Sequence, residues 1–210
     1  MYEVEAFAVG EPGPLLAGLL GQVAATLVTT GPSGLTSTVL PLLYDAEAGP
    51  LGTLLGHVAR GNPIVREHHD GPALVVATGA AGYVSPSWYP AKAEHGKVVP
   101  TWDYVTVDAG GPLVLHDDAA WLLDVVTRLT DRHEAGRPAP WAVTDAPEAY
   151  VAAMLRGIVG IELRLDRLVG KAKLSQNRSD ADRAGVLAGL RAEGDPVAHL
   201  LATAVARPPA

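Results

Sequence analysis

Residues 83–105, YVSPSWYPAKAEHGKVVPTWDYV, carry five of the eleven aromatic residues in the chain: Tyr83, Trp88, Tyr89, Trp102 and Tyr104. A strand predicted over Val98–Asp108 alternates, placing Trp102, Tyr104, Thr106 and Asp108 on one face and Thr101, Asp103, Val105 and Val107 on the other. The first of these faces can stack a flat ring and hydrogen-bond its edges. The competing reading makes the same aromatics core and interface filling. A second group is Gly56-His57-Val58-Ala59-Arg60-Gly61-Asn62-Pro63, at a predicted passage from strand to helix. Free backbone N–H groups and the Arg60 guanidinium suit an anion such as phosphate. His57 suits a metal or haem iron. Alternatively Asn62 only caps the helix and His57 faces water. A third group, Gly170-Lys-Ala-Lys-Leu-Ser-Gln-Asn-Arg178, crowds two lysines, an arginine and the polar side chains of Ser175, Gln176 and Asn177 into a predicted loop. That mixture can hold a phosphate or a polar ring edge, or form a solvated loop with Ser179 as a helix cap.

His68-His69-Asp70 and Glu94-His95 lack the i,i+4 spacing or third ligand of a metal site, and none is expected there. No G-x-S-x-G elbow, Walker loop or G-x-G-x-x-G is present, so a nucleophilic hydrolase and an NTPase have no local support.

The elements that position these groups are mostly short strands. A helix is predicted over Glu11–Gly21, then a hairpin of Val23–Thr30 and Leu35–Tyr44 around Gly31-Pro-Ser-Gly34. Strands follow at Leu51–Gly56 and Ala73–Thr78, a turn at Gly79–Gly82, and a short strand at Leu113–His116. Leu122, Val125, Val126 and Leu129 recur at helical spacing after Asp117 and Asp118. Asp145-Ala-Pro-Glu148 resembles a capping box ahead of a helix reaching about Arg156, and Ile158–Leu168 alternates as a strand. Ser179 and Asp195-Pro196 open two last helices. The pattern predicts a mainly β, α+β protein: one barrel domain over 1–210, a helical insert at about 117–156 and C-terminal helices at about 179–206.

The 210 residues are enough for a substantial core. With 16 Lys and Arg against 23 Asp and Glu, the net charge is −7 and the basic residues are scattered, so DNA contact is not supported by charge. The absence of cysteine removes disulfides, thiolate catalysis and Cys-ligated metal centres. No basic flank precedes an apolar run at the N-terminus, and no stretch approaches a membrane span, so the expectation is a cytoplasmic protein.

Taken together and in order, GHVARGNP, YVSPSWYP…AEHGKVVPTWDYV and KAKLSQNRSDADRAGV resemble the PaiB-like FMN-binding negative transcriptional regulators, over roughly Ala25 to Leu190. The resemblance implies a split β-barrel of FMN-binding type, a homodimer, and cofactor-site roles for His57, Arg60 and Asn62. It implies the same for Trp102 and for Ser175, Gln176, Asn177 and Arg178. Three positions depart from the family pattern. Val39-Leu40-Pro41 replaces a His-Leu-Pro-like triplet, Asp103 stands where the family carries Asn, and Val107-Asp-Ala-Gly-Gly111 replaces a His- and Tyr-bearing segment. A carboxylate at position 103 opposes an anionic cofactor if it faces one.

The first expectation is therefore an FMN protein with a redox-linked or regulatory role, its phosphate against Arg60 and residues 171–178 and its ring against Trp102. A branch of the family resembles haem-dependent piperazate synthases, which form a nitrogen–nitrogen bond. That alternative uses haem b with His57 as iron ligand, and Asp103 or a lysine handling protons on a small-molecule substrate. A third expectation is a cofactor-free binding module.

Overall fold

The computed structural model describes residues 1–67 and 71–209. His68, His69 and Asp70, considered above for a metal, therefore lie outside the described residues. In chain order the elements are β1 (Ala8–Val9), α1 (Pro12–Leu20), β2 (Ala25–Gly31), β3 (Gly34–Leu40), β4 (Leu43–Asp45), β5 (Thr53–Ala59) and α2 (Ile64–Glu67). They continue with β6 (Pro72–Val84), α3 (Ala91–His95), β7 (Thr101–His116), α4 (Ala119–Glu134) and α5 (Glu148–Leu155). β8 (Ile158–Arg164), β9 (Arg167–Lys173), α6 (Asp180–Ala192) and α7 (Pro196–Ala206) complete the chain. The protein is α+β with an antiparallel sheet, as the alternating segments predict. Among the described residues no helix is long and apolar enough to cross a membrane.

The chain forms two compact units: Met1–Leu15, Thr78–Val107 and Val169–Ala210 make the first, and Leu16–Ala77 with Asp108–Leu168 the second. In the second unit β2 pairs with β3 from Ala25↔Leu40 to Gly31↔Gly34, the hairpin that Gly31-Pro-Ser-Gly34 announces. β2 also pairs with β6, and β5 lies between β4 and β8, which in turn pairs with β7. Leu122, Val125 and Leu129 are the buried stripe of α4, and Val125 and Leu129 meet Leu43 and Leu55 with Trp121 packed alongside. Asp118 caps this helix, accepting the Trp121 N–H at 2.8 Å.

In the first unit β1 pairs with β9, and β9 also pairs with β7. Val84, Tyr89, Val105 and Leu174 form a core with Val186 and Leu190 of α6 and Leu201 and Val205 of α7. Ser179 and Asp195 cap α6 and α7 as the sequence predicts, accepting from Asp182 N and Val197 N.

Several expected boundaries move, each for a local reason. Gly79–Gly82 is not a turn, because β6 runs on to Val84; a Cβ at Gly82 would come within 2.9 Å of Leu201 Cδ2, so its bareness serves packing. Gly110-Gly111-Pro112 does not break β7, because a side chain at Gly111 would overlap the Arg164 carbonyl. The expected strand Leu35–Tyr44 divides at Pro41 into β3 and β4. Gly170–Lys173 belongs to strand β9 rather than a loop: the chain breaks at Leu165-Asp166, and β9 then pairs with β1 through Ala8↔Lys171 and Val9↔Gly170. Asp145 serves the 3-10 turn Val143–Asp145, accepting from Ala142 N at 2.9 Å, and gives α5 no side-chain cap.

A further steric constraint in the second unit is at Gly160. The registers His57↔Gly160 and His116↔Gly160 align three strands, and the Trp121 ring lies where a Gly160 Cβ would be. Directly opposed residues share a sheet face, so His57 and His116 flank this indole seat. We expect Gly160→Ala to cost about 1–3 kcal/mol through overpacking, read as a lower denaturant midpoint with an unchanged slope. An unchanged midpoint would show that Trp121 moves freely off the sheet.

Candidate functional site

The first unit places Trp102 on β7 with its side chain 58% exposed, its ring edge-on to the Tyr83 ring at 6.5 Å. Exposure alternates along the strand. Asp103, Val105 and Val107 are buried, while Tyr104 and Thr106 are half-buried. Asp108 departs from this pattern and is buried. The split between exposed and core aromatics thus falls inside the segment, since Tyr89 belongs to the core.

Asp103 is fully buried and is the centre of a polar network. Ser175 Oγ donates to its Oδ2 at 2.7 Å, and Lys173 Nζ lies 3.4 Å from Oδ1. The same ammonium donates to Thr101 Oγ1 at 2.7 Å and to the Trp102 carbonyl. Burial pushes the Asp103 carboxyl up, against the opposing pull of Ser175 and Lys173. The carboxylate is therefore directed at this chain's own donors.

Residues 174–178 are shaped by these bonds. Ser175 holds a left-handed backbone, φ 60°, which a non-glycine residue adopts only when its surroundings fix it. Gln176 closes the turn on itself, accepting from Leu174 N at 2.6 Å and donating to the Ala172 carbonyl at 2.5 Å. Asn177 is exposed, and Arg178 is half-buried with its guanidinium 4.9 Å from the Tyr89 ring centre. Of the predicted group in this unit, Ser175 and Gln176 build the loop, while Trp102, Asn177 and Arg178 present groups beyond it.

The second unit holds His57, Arg60 and Asn62 at the end of β5. His57 is half-buried, and burial lowers its pKa, favouring a neutral imidazole. It lines a cavity of about 330 Å³ with Pro41, Leu129, His133, Glu134 and Trp141. Arg60 pairs with the Asp117 carboxylate through both terminal nitrogens and donates to the carbonyls of Arg156 at 2.7 Å and Ile158 at 2.9 Å. The hydrogen bond to Asp117 raises the Arg60 pKa and lowers that of Asp117. Asn62 accepts from Ile64 N at 3.1 Å and donates to Thr38 Oγ1 at 3.1 Å. It caps a helix of only four residues. Among the described residues no three His, Asp or Glu side chains converge as a metal cage. His95, in the Glu94-His95 pair, accepts from Lys97 N at 3.0 Å.

One group in this unit has no local signature in the sequence. His116 Nε2 lies 2.7 Å from Glu162 Oε2, and its ring stacks on Trp121 with centroids 4.1 Å apart. Burial pushes Glu162 up, but Arg164 and His116 more than offset it and leave the carboxyl below its ordinary value. Only strand register brings these residues together.

Comparison with known proteins agrees with the fold. Residues 1–167 match a family model described as "Putative FMN-binding domain". A protein of Aspergillus fumigatus described as uncharacterized is 33% identical, over 81% of this chain and 82% of its own. The protease synthase and sporulation protein PAI 2 of Bacillus subtilis is 31% identical, over 84% of this chain and 83% of its own. Among solved structures, the FAD and heme binding protein from Mycobacterium smegmatis superposes with a TM-score of 0.54 at 21% identity, covering 81% of this chain and 76% of that one. The fold is the split barrel expected from the sequence. The chain belongs to the family of PaiB-like proteins built on this FMN-binding domain.

Proposed function

We propose that this protein is a homodimeric flavoprotein that binds FMN and serves a redox-linked role, with any regulatory function following from the state of the flavin. FMN requires a flat face for its ring, donors for the ring's polar edge and cations for its phosphate. The donor chemistry in each unit fits those needs. Trp102 offers an exposed indole, with Asn177 and Arg178 as an amide and a cation and Ser175 and Gln176 fixing the loop that carries them. His57, Arg60 and Asn62 are the second unit's candidates; Arg60 has four of its hydrogen-bonding contacts committed to Asp117 and two carbonyls.

The observation that carries the reading is the internal pairing of Asp103. Its carboxylate is taken up by Ser175 and Lys173, so it does not oppose an anionic ligand at the Trp102 surface. When bound, FMN supplies one- and two-electron transfer chemistry. The chain's part is to stack the ring on Trp102 and hold its edge and phosphate. A net charge of −7 favours this over direct DNA contact.

A second reading has its own observation. His57 presents a neutral imidazole to a cavity that also holds His133 and Trp141, a suitable environment for a haem iron ligand and its ring. The M. smegmatis structure shows that haem is bound by a protein of this fold, as its description states.

Purified protein titrated with FMN should quench flavin fluorescence saturably, and Trp102→Ala should weaken binding about tenfold by removing the stacking surface. Equal affinity in the variant would remove Trp102 from the site. Absorption separates the cofactors. The flavin reading predicts flavin bands that survive, weakened, in His57→Ala, whereas a Soret band abolished by that substitution would replace it with the haem reading. Protein that stays colourless with both cofactors would end both.

A further inference from the structure

The loop joining α6 to α7 forms one wall of a cavity that the flavin reading does not use. Gly194 takes a left-handed conformation, φ 70°, and its two neighbours are Glu193, which ends α6, and Asp195, which caps α7. Both acids line a cavity of about 150 Å³ together with Tyr83, Trp88, Leu190 and Val197. No lysine, arginine or histidine lines it, so its negative charge has no cationic partner in the lining. The C-terminal end of the thirteen-residue helix α6 adds a negative partial charge, and the N-terminal end of α7, capped by Asp195, an opposing positive one.

One aromatic wall is placed before any ligand arrives. Gly185 and Gly189 stand four residues apart on α6, and side chains there would overlap the Trp88 carbonyl and the Trp88 indole respectively. The two glycines thus form a groove in which Trp88 lies flat. Tyr83 is about half exposed and meets the Trp102 ring edge-on. Trp88 and Tyr83 with two exposed carboxylates around a small space of mixed polarity match what a cationic amine head group needs. The rings attract the cation through their quadrupoles, the acids supply charge, and Leu190 and Val197 receive its alkyl groups.

We propose that this cavity is a binding site for an alkylammonium or quaternary ammonium group, adjoining the Trp102 surface through Tyr83 but argued without the flavin reading. Its size admits a trimethylammonium head and excludes a fused ring system.

The test uses choline as the probe on the full-length protein, at constant ionic strength, with tryptophan fluorescence as readout and with and without FMN. Saturable quenching is expected with choline and not with its uncharged isostere, in which a tert-butyl group replaces the trimethylammonium. The double substitution Glu193→Gln, Asp195→Asn should weaken choline binding about tenfold while keeping the helix cap, since Asn caps as well as Asp. Tyr83→Leu should weaken it by a similar factor, with the thermal midpoint of both variants showing that the fold is kept. No saturable response, an equal response to the isostere, or unchanged affinity in the acid-to-amide variant would each overturn the proposal. FMN binding can fail without touching any of these outcomes.

Discussion

A carboxylate buried without contact to water constrains much of the first unit. Asp103 has no exposed surface, and its charge is tolerable only because Ser175 and Lys173 donate to it. Those bonds fasten residues 173–176 to β7, beside the Trp102 that faces solvent. They also account for the left-handed backbone at Ser175, a conformation a free loop would abandon. Linkage gives the arrangement a definite sign. Because burial holds the Asp103 carboxyl above its unfolded value, ionising it costs stability; that cost is absent below the unfolded pKa and fully present above the folded one. The loop is thus maintained against a standing electrostatic cost, which suits a segment kept for its position more than for its contribution to stability.

The second unit is organised by a steric rule. Trp121 occupies the space left bare at Gly160, between His57 and His116 on neighbouring strands. Its indole stacks on His116, whose other contact is Glu162. The two halves of the protein's polar chemistry therefore have different foundations, a buried charge in one and a bare glycine in the other.

Much of this was legible in the sequence. The hairpin at Gly31–Gly34, the stripe of α4 and the caps Ser179 and Asp195 follow from turn chemistry, period and side-chain acceptors within a few residues of where they act. The aromatic segment and the KAKLSQNR run meet through Asp103, Lys173 and Ser175. What sequence does not convey is direction. Alternation sets Asp103 on the face opposite Trp102, but its partner Ser175, 72 positions away, has no local signature. Glycines read as a turn at Gly79–Gly82, whereas Gly82 lies in a strand and admits Leu201, far along the chain. His116 and Glu162 stand 46 positions apart and have no shared motif. Each of these depends on register or packing between distant segments, which no local pattern encodes.

The departure of Asp103 from the family's Asn is then a substitution absorbed by the fold. Lys173 supplies the charge that an amide would not need, and the carboxylate is buried away from the exposed Trp102 indole. The most direct measurement is the FMN dissociation constant of Asp103→Ala set beside that of Asp103→Asn. The account predicts about tenfold weaker binding for the alanine variant, whose loop loses its anchor, and near-normal binding for asparagine, which still accepts from Ser175. Alanine binding FMN as tightly as the parent protein would contradict it.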